Sequence, residues 1–211
     1  MLKIRITRLP ALACCLLTLA GCLGGPSPPS RFFTLTPLRT GSGVTATSPE
    51  KLLVVGPVVI PDYLDRPQIV TRSGANELVI AEFNRWGGSL NNDISRALIA
   101  DLSARLESGG YTVLPWQTIP LATIQTVYRV PVDIARFDGV PGKEVVLNAK
   151  WQLLQKQKLN EQSLLAKEIT ILEPTGGESM AELVAAMGRA LQKLGTALSD
   201  SIAAQTAGKT P

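Results

Sequence analysis

All three cysteines of this 211-residue chain, Cys14, Cys15 and Cys22, fall at its very start. Whatever folds after them folds without a disulfide and must rely on an apolar core. The same opening segment has the order of an export signal. Lys3, Arg5 and Arg8 form a positive flank, residues 9–20 an apolar run of about a dozen residues, and Ala20-Gly21 leave room for a peptidase at the bond before Cys22. A membrane-spanning helix needs roughly 20 apolar residues. Here the run Gly24-Gly25-Pro26-Ser27-Pro28-Pro29-Ser30 follows almost at once, which predicts a cleaved segment rather than a permanent span.

Leu19-Ala20-Gly21-Cys22 is similar to the small-small-Cys pattern of bacterial lipoprotein signals; an ordinary secretory signal with a chance cysteine is the alternative. On the lipoprotein reading residues 1–21 are removed, and Cys22 carries a thioether-linked diacylglycerol plus an amide-linked acyl chain such as palmitate. Each buried methylene contributes about 0.8 kcal/mol, and two or more chains anchor stably where one is marginal. Residues 22–30 then form a lipidated N-terminus and spacer. By resemblance to lipoprotein sorting rules, Leu23 in place of an Asp after the cysteine implies the outer membrane, facing the periplasm.

Losing the signal changes the charge more than the length. About 190 residues remain, one domain by the usual size prior, while the 21 Lys+Arg fall to 18 against 17 Asp+Glu. No cluster of Lys and Arg suited to a row of phosphates occurs, so nucleic acid is not an expected partner. The chain has no histidine. With His and free Cys both missing, the commonest zinc ligands and the usual neutral-pH general base are missing too, and neither a metal nor a cofactor is expected. Ser48-Pro49-Glu50-Lys51 has the Ser-x-x-Lys spacing of an acyl enzyme. That chemistry needs both side chains on one helical turn, whereas this stretch holds a proline in a loop. No catalytic residues are expected.

Periodicity then orders the elements. Residues 31–35 are strand-like and residues 40–49 a Gly/Ser/Thr-rich loop. Residues 52–60 are β-branched and apolar almost throughout, as in a strand buried on both faces, with Pro57 at an edge or bulge. Residues 68–72 and 77–83 flank Ser73-Gly74-Ala75-Asn76 as a hairpin. Leu90, Ile94, Leu98, Leu102 and Leu106 predict a helix over 89–108, stopped by Gly109-Gly110. Residues 111–116 form a short strand. An antiparallel meander follows over 130–135, 145–153 and 167–172, with turns at 138–142 and 158–162. A helix over 180–204 opens on a Ser179/Glu182 capping box, and Gly188 and Gly195 inside it point to close packing. Its apolar stripe reads as core, with a partner-helix groove as the alternative. The expected fold is a two-layer α/β sandwich over 31–205, a mostly antiparallel sheet with two main helices packed on one face, and a disordered tail at 206–211.

Gly56-Pro57-Val58-Val59-Ile60-Pro61-Asp62-Tyr63-Leu64-Asp65-Arg66-Pro67-Gln68-Ile69-Val70 resembles the hallmark segment of the ABC-type transport auxiliary lipoproteins, the family typified by paraquat-inducible protein C. Phe33-Thr34-Leu35, Phe83-Asn84-Arg85-Trp86 with Leu90, and Val132-Asp133-Ile134-Ala135-Arg136-Phe137-Asp138-Gly139 extend the resemblance over nearly all the mature chain. It implies a non-enzymatic auxiliary subunit of a trans-envelope lipid transport system that supports membrane integrity. Its acyl chains would sit in the inner leaflet of the outer membrane. Its partners would be a tunnel protein of the mammalian-cell-entry (MCE) type and that tunnel's inner-membrane permease. A ring of several copies would match an oligomeric tunnel. The alternative function is a regulatory lipoprotein that activates a cell-wall synthase or forms part of a secretion pore; a stand-alone lipid carrier would need an internal apolar cavity.

The residues allow a physical version of docking. Tyr63, Leu64, Asp65 and Arg66 lie between two strands, where a loop can present an aromatic, an aliphatic and a charge pair. A structural turn with local hydrogen bonds is the other reading. Arg85 and Trp86 could share that surface, although a tryptophan there also suits the core edge. Asp133, Arg136 and Asp138 read as solvated strand charges, with Asp133 and Arg136 on opposite faces by parity.

Overall fold

A computed structural model describes residues 27–36, 51–118, 127–157 and 160–206. The expected export signal with Cys22, most of the expected spacer, the expected Gly/Ser/Thr-rich loop with Ser48 and the last five residues lie outside these. Residues 27–30 carry no regular secondary structure.

From Arg31 onward the chain forms one compact unit. Its strands are β1 (Arg31–Phe33), β2 (Lys51–Val59), β3 (Gln68–Arg72), β4 (Leu78–Trp86), β5 (Tyr111–Pro115), β6 (Val127–Gly139), β7 (Glu144–Gln157) and β8 (Asn160–Pro174). The helices are α1 (Leu90–Leu106) and α2 (Met180–Thr206). The main sheet has the order β5-β2-β6-β7-β8, and a second, three-stranded sheet runs β1-β4-β3.

β2 explains the architecture. Leu52, Leu53, Val54 and Val55 are all buried, as its unbroken apolar run requires. It pairs in parallel with β5 on one side and β6 on the other. Parallel neighbours need a crossover, and α1 lies in the connection that ends at β5. The expected sandwich with two helices on one face therefore forms, but its main sheet is mixed and the β3–β4 hairpin belongs to a separate small sheet. Pro57 falls where the β2–β6 register shifts between Val55 and Val58, the expected bulge.

The meander β6-β7-β8 is antiparallel throughout. On β7, Val145, Leu147, Ala149, Trp151 and Leu153 are buried beneath the helices, while Asn148, Lys150 and Gln152 point the other way. β8 begins at Asn160, so Asn160, Glu161 and Gln162 extend a strand where a turn was expected; Glu161 pairs with Lys156, and its carboxylate meets Arg129 of β6. Arg129 lies 32 residues earlier in the chain, and that pairing leaves no local signature.

Ser89 caps α1, accepting a bond from the Asn92 amide. After a single 3-10 turn, Gly110 adopts the left-handed conformation (φ 75°) that ends the segment. α2 opens on the expected capping box: Ser179 Oγ accepts from the Glu182 amide at 3.2 Å, and the Glu182 carboxylate accepts from the Ser179 amide at 3.0 Å. Leu183, Met187, Leu191, Leu194, Leu198 and Ile202 of α2 are core. A Cβ at Gly195 would collide with the Asp101 carboxylate of α1, which accounts for that glycine; Gly188 has open space and no such reason. α2 extends two residues beyond 204. Thr206, expected in a loose tail, is buried against Tyr111, hydroxyl to hydroxyl at 2.5 Å.

Candidate functional site

Between β2 and β3 the chain makes a single 3-10 turn over Asp62–Leu64. The Leu64 amide bonds the Pro61 carbonyl at 2.9 Å, and the Arg66 amide bonds the Leu64 carbonyl at 2.8 Å. Pro67 cannot donate, but its carbonyl accepts from the Trp86 amide at 2.7 Å and so ties the loop to the end of β4. The local bonds of a structural turn are thus present. So is an exposed rim, made by Asp62, Asp65 and Pro67, with Arg66 half-buried.

Two side chains expected on that rim are elsewhere. Leu64 is 2% exposed and Trp86 4% exposed, both within the main apolar cluster. An aliphatic side chain following a tight turn, and an indole at the junction of β4 and α1, remove more apolar area from water by turning inward. Arg85 stays half-buried at the end of β4, its Nε 3.5 Å from the Glu82 carbonyl.

The base of the loop is held by a residue with a different expectation. Asp138, read as a solvated strand charge, is completely buried. Its Oδ2 accepts from the Tyr63 hydroxyl at 2.7 Å, and its Oδ1 accepts from Arg72 Nε at 2.7 Å and Arg136 Nε at 2.9 Å. Arg72 also donates to the Ala75 carbonyl at 2.8 Å, and its guanidinium lies 5.9 Å from the Tyr63 ring centre. One carboxylate therefore joins the loop, β3 and β6. A buried carboxylate requires such donors, since an unpaired charge would be neutralised or expelled. Burial pushes the Tyr63 phenol above its ordinary value, and its hydrogen bond to Asp138 adds to this. The bond to Asp138 raises the Arg72 guanidinium in turn, against the opposing effect of burial.

A bulge makes this cluster possible. Ile134 pairs with Ala149 and Arg136 with Asn148, which leaves Ala135 without a partner on β7. The extra residue reverses the parity of the strand. Asp133, Arg136 and Asp138, opposite Lys150, Asn148 and Val146, then share one face, where plain alternation put Asp133 and Arg136 on opposite sides. Asp133 remains exposed.

Arg72 was legible only as the end of a strand. Its partner is 66 residues away and Tyr63 is 75 from the same carboxylate, so no local spacing could pair them. Among the described residues no group of three His, Cys, Asp or Glu could hold a metal ion, and no helix is long and apolar enough to cross a membrane. What the arrangement offers is a rigidly based loop with a polar rim.

The class is set by the match over this α/β sandwich: the chain belongs to the family of ABC-type transport auxiliary lipoprotein components, whose model matches residues 33–199. It is 30% identical over 143 residues to the intermembrane transport lipoprotein PqiC of Escherichia coli (strain K12), covering 68% of this chain and 72% of that protein. The protein of the same name from Shigella flexneri matches to the same extent. The fold is shared with a crystal structure of a Xanthomonas campestris protein at 18% identity and a TM-score of 0.63, over 85% of this chain and 100% of the other. A second crystal structure, of an uncharacterized protein, matches at 19% identity and a TM-score of 0.66, over 83% of this chain and 99% of the other.

Proposed function

We propose that this protein is an outer-membrane-anchored periplasmic lipoprotein that docks the end of an MCE-type tunnel and performs no chemistry itself. Acyl chains at Cys22 hold it to the inner leaflet, and the loop over residues 62–67 meets the tunnel, whose other end joins an inner-membrane permease. Family membership supports the transport role. The observation that carries the docking site is the loop itself: its base is clamped on buried Asp138 while Asp62, Asp65 and Pro67 stay exposed. A preformed loop loses little conformational freedom on binding. Arg66 and Arg85 extend the surface, and Tyr63 holds it in shape. Several copies in a ring would multiply a weak contact.

A carrier that encloses lipid is not favoured. Phe137, Leu147, Leu153, Leu183 and Met187 are fully buried and fill the space between sheet and helices.

The test is a pull-down from envelope extracts with the tagged lipoprotein, beside a variant combining Asp65→Ala, Arg66→Ala and Arg85→Ala. Recovery of an MCE-type protein by the parent alone, with the variant folded, supports role and site together. Recovery by both keeps the role and moves the interface. Recovery of only a cell-wall synthase overturns the reading. Native mass spectrometry of the detergent-solubilised protein decides the ring, which a monomer alone would refute.

A further inference from the structure

β4 carries an apolar run that its own fold does not cover. Leu78, Val79, Ile80 and Phe83 are each more than a third exposed, and Phe32 on β1 is 67% exposed. β3 pairs with one edge of β4, but β1 pairs only with Asn84, Arg85 and Trp86. Among the described residues the other edge of β4 over 78–83 is unpaired. An exposed, apolar edge strand of this length is a hazard in water and marks a contact surface.

The position of the lipid attachment indicates what covers it. Cys22 precedes Arg31 by nine residues, which span about 30 Å when fully extended at roughly 3.3–3.6 Å per residue. β1 runs parallel to β4 with Arg31 beside Asn84. The N-terminal end of β1 therefore points toward the part of β4 that carries Phe83, Ile80, Val79 and Leu78. We propose that this edge of the small sheet, with Phe32, rests on the lipid surface to which Cys22 is anchored. The inference rests on the anchored reading above.

The chemistry fits a shallow contact. Free backbone N–H and C=O groups on the edge are too costly to place in hydrocarbon, whereas at the headgroup level they keep water while the side chains enter the acyl boundary. The nearby charges are mixed, Arg31 and Arg85 against Glu77 and Glu82. Apolar insertion, and not attraction to anionic lipid, is what holds the edge down.

Lipidated full-length protein carrying Phe32→Cys, Ile80→Cys, Phe83→Cys or Leu172→Cys is labelled with a polarity-sensitive fluorophore and reconstituted into phosphatidylethanolamine/phosphatidylglycerol vesicles containing doxyl-labelled lipid. Leu172, 55% exposed on β8, is the control. The expected result is loss of fluorescence at positions 32, 80 and 83 and none at 172, unchanged when phosphatidylglycerol is omitted. Equal signals at all four positions would overturn the contact, as would quenching that requires phosphatidylglycerol. Shielding at 32, 80 and 83 that grows with protein concentration in detergent alone would assign the edge to a second copy instead. Vesicle flotation separates the two levels: protein that floats without quenching refutes the contact only, and protein that does not float refutes the anchor with it.

Discussion

Tyr63 donates a hydrogen bond to a carboxylate that is shut away from water, and this bond ties the candidate docking loop to β6 of the main sheet. Tyr63→Phe keeps the ring and removes the bond. Hydrogen bonds to charged groups contribute about 1.5–3 kcal/mol, and a loss in that range is expected in denaturant unfolding. The variant also changes the response to alkali. An unfolded tyrosine ionises near pH 10, while burial and Asp138 keep the folded Tyr63 protonated to higher pH. That stability is present below about pH 10 and falls as pH rises from there through the folded value. Unfolding midpoints on either side of pH 10 should therefore differ less in Tyr63→Phe than in the parent. Tyr111 and Tyr128, whose phenols burial also raises, contribute to the slope that remains.

At the scale of elements, α2 is held both by fit and by charge. Gly195 lets it close on Asp101 of α1, so Gly195→Val must push the helices apart. Overpacking of this kind costs about 1–3 kcal/mol, read as a lower thermal midpoint with the secondary structure retained. Glu173 of β8 faces Arg189 at 2.6 Å and Lys193 at 2.7 Å on α2. Burial opposes its ionisation, but the bonds from Lys193 and Arg189 outweigh burial and lower its pKa. The stabilisation is then present above the ordinary carboxylate value near 4.3 and lost as pH falls through the folded one. In Glu173→Gln, acid titration of stability below about pH 4.3 should be shallower. Both cations are substantially exposed, so the effect is modest. These elements were legible because helical spacing and caps are local: Leu90 to Leu106, the Ser179/Glu182 box and the alternation of β7 all declare themselves within a few residues. The Asp138 cluster was not. It depends on the Ala135 bulge, which reverses parity without any glycine or proline to announce it, and on partners from two other segments.

Across the whole molecule, the parallel placement of β2 sets an order in time. β2 is the first long strand to be made, yet its partners begin only at Tyr111 and Val127. β6, β7, β8 and α2 are consecutive and satisfy one another through short connections. Pairings distant in sequence form slowly, so pulse-labelled hydrogen exchange should protect amides of β7 and β8 before those of β2. Protection of β2 first would contradict this order. If the chain is exported from its N-terminal end, as the anchored reading proposed above requires, Leu52, Leu53, Val54 and Val55 cross into a new compartment well ahead of the strands that will cover them. A chain exported in that order shows this apolar strand before its partners exist and must be kept from its neighbours until its own second half arrives.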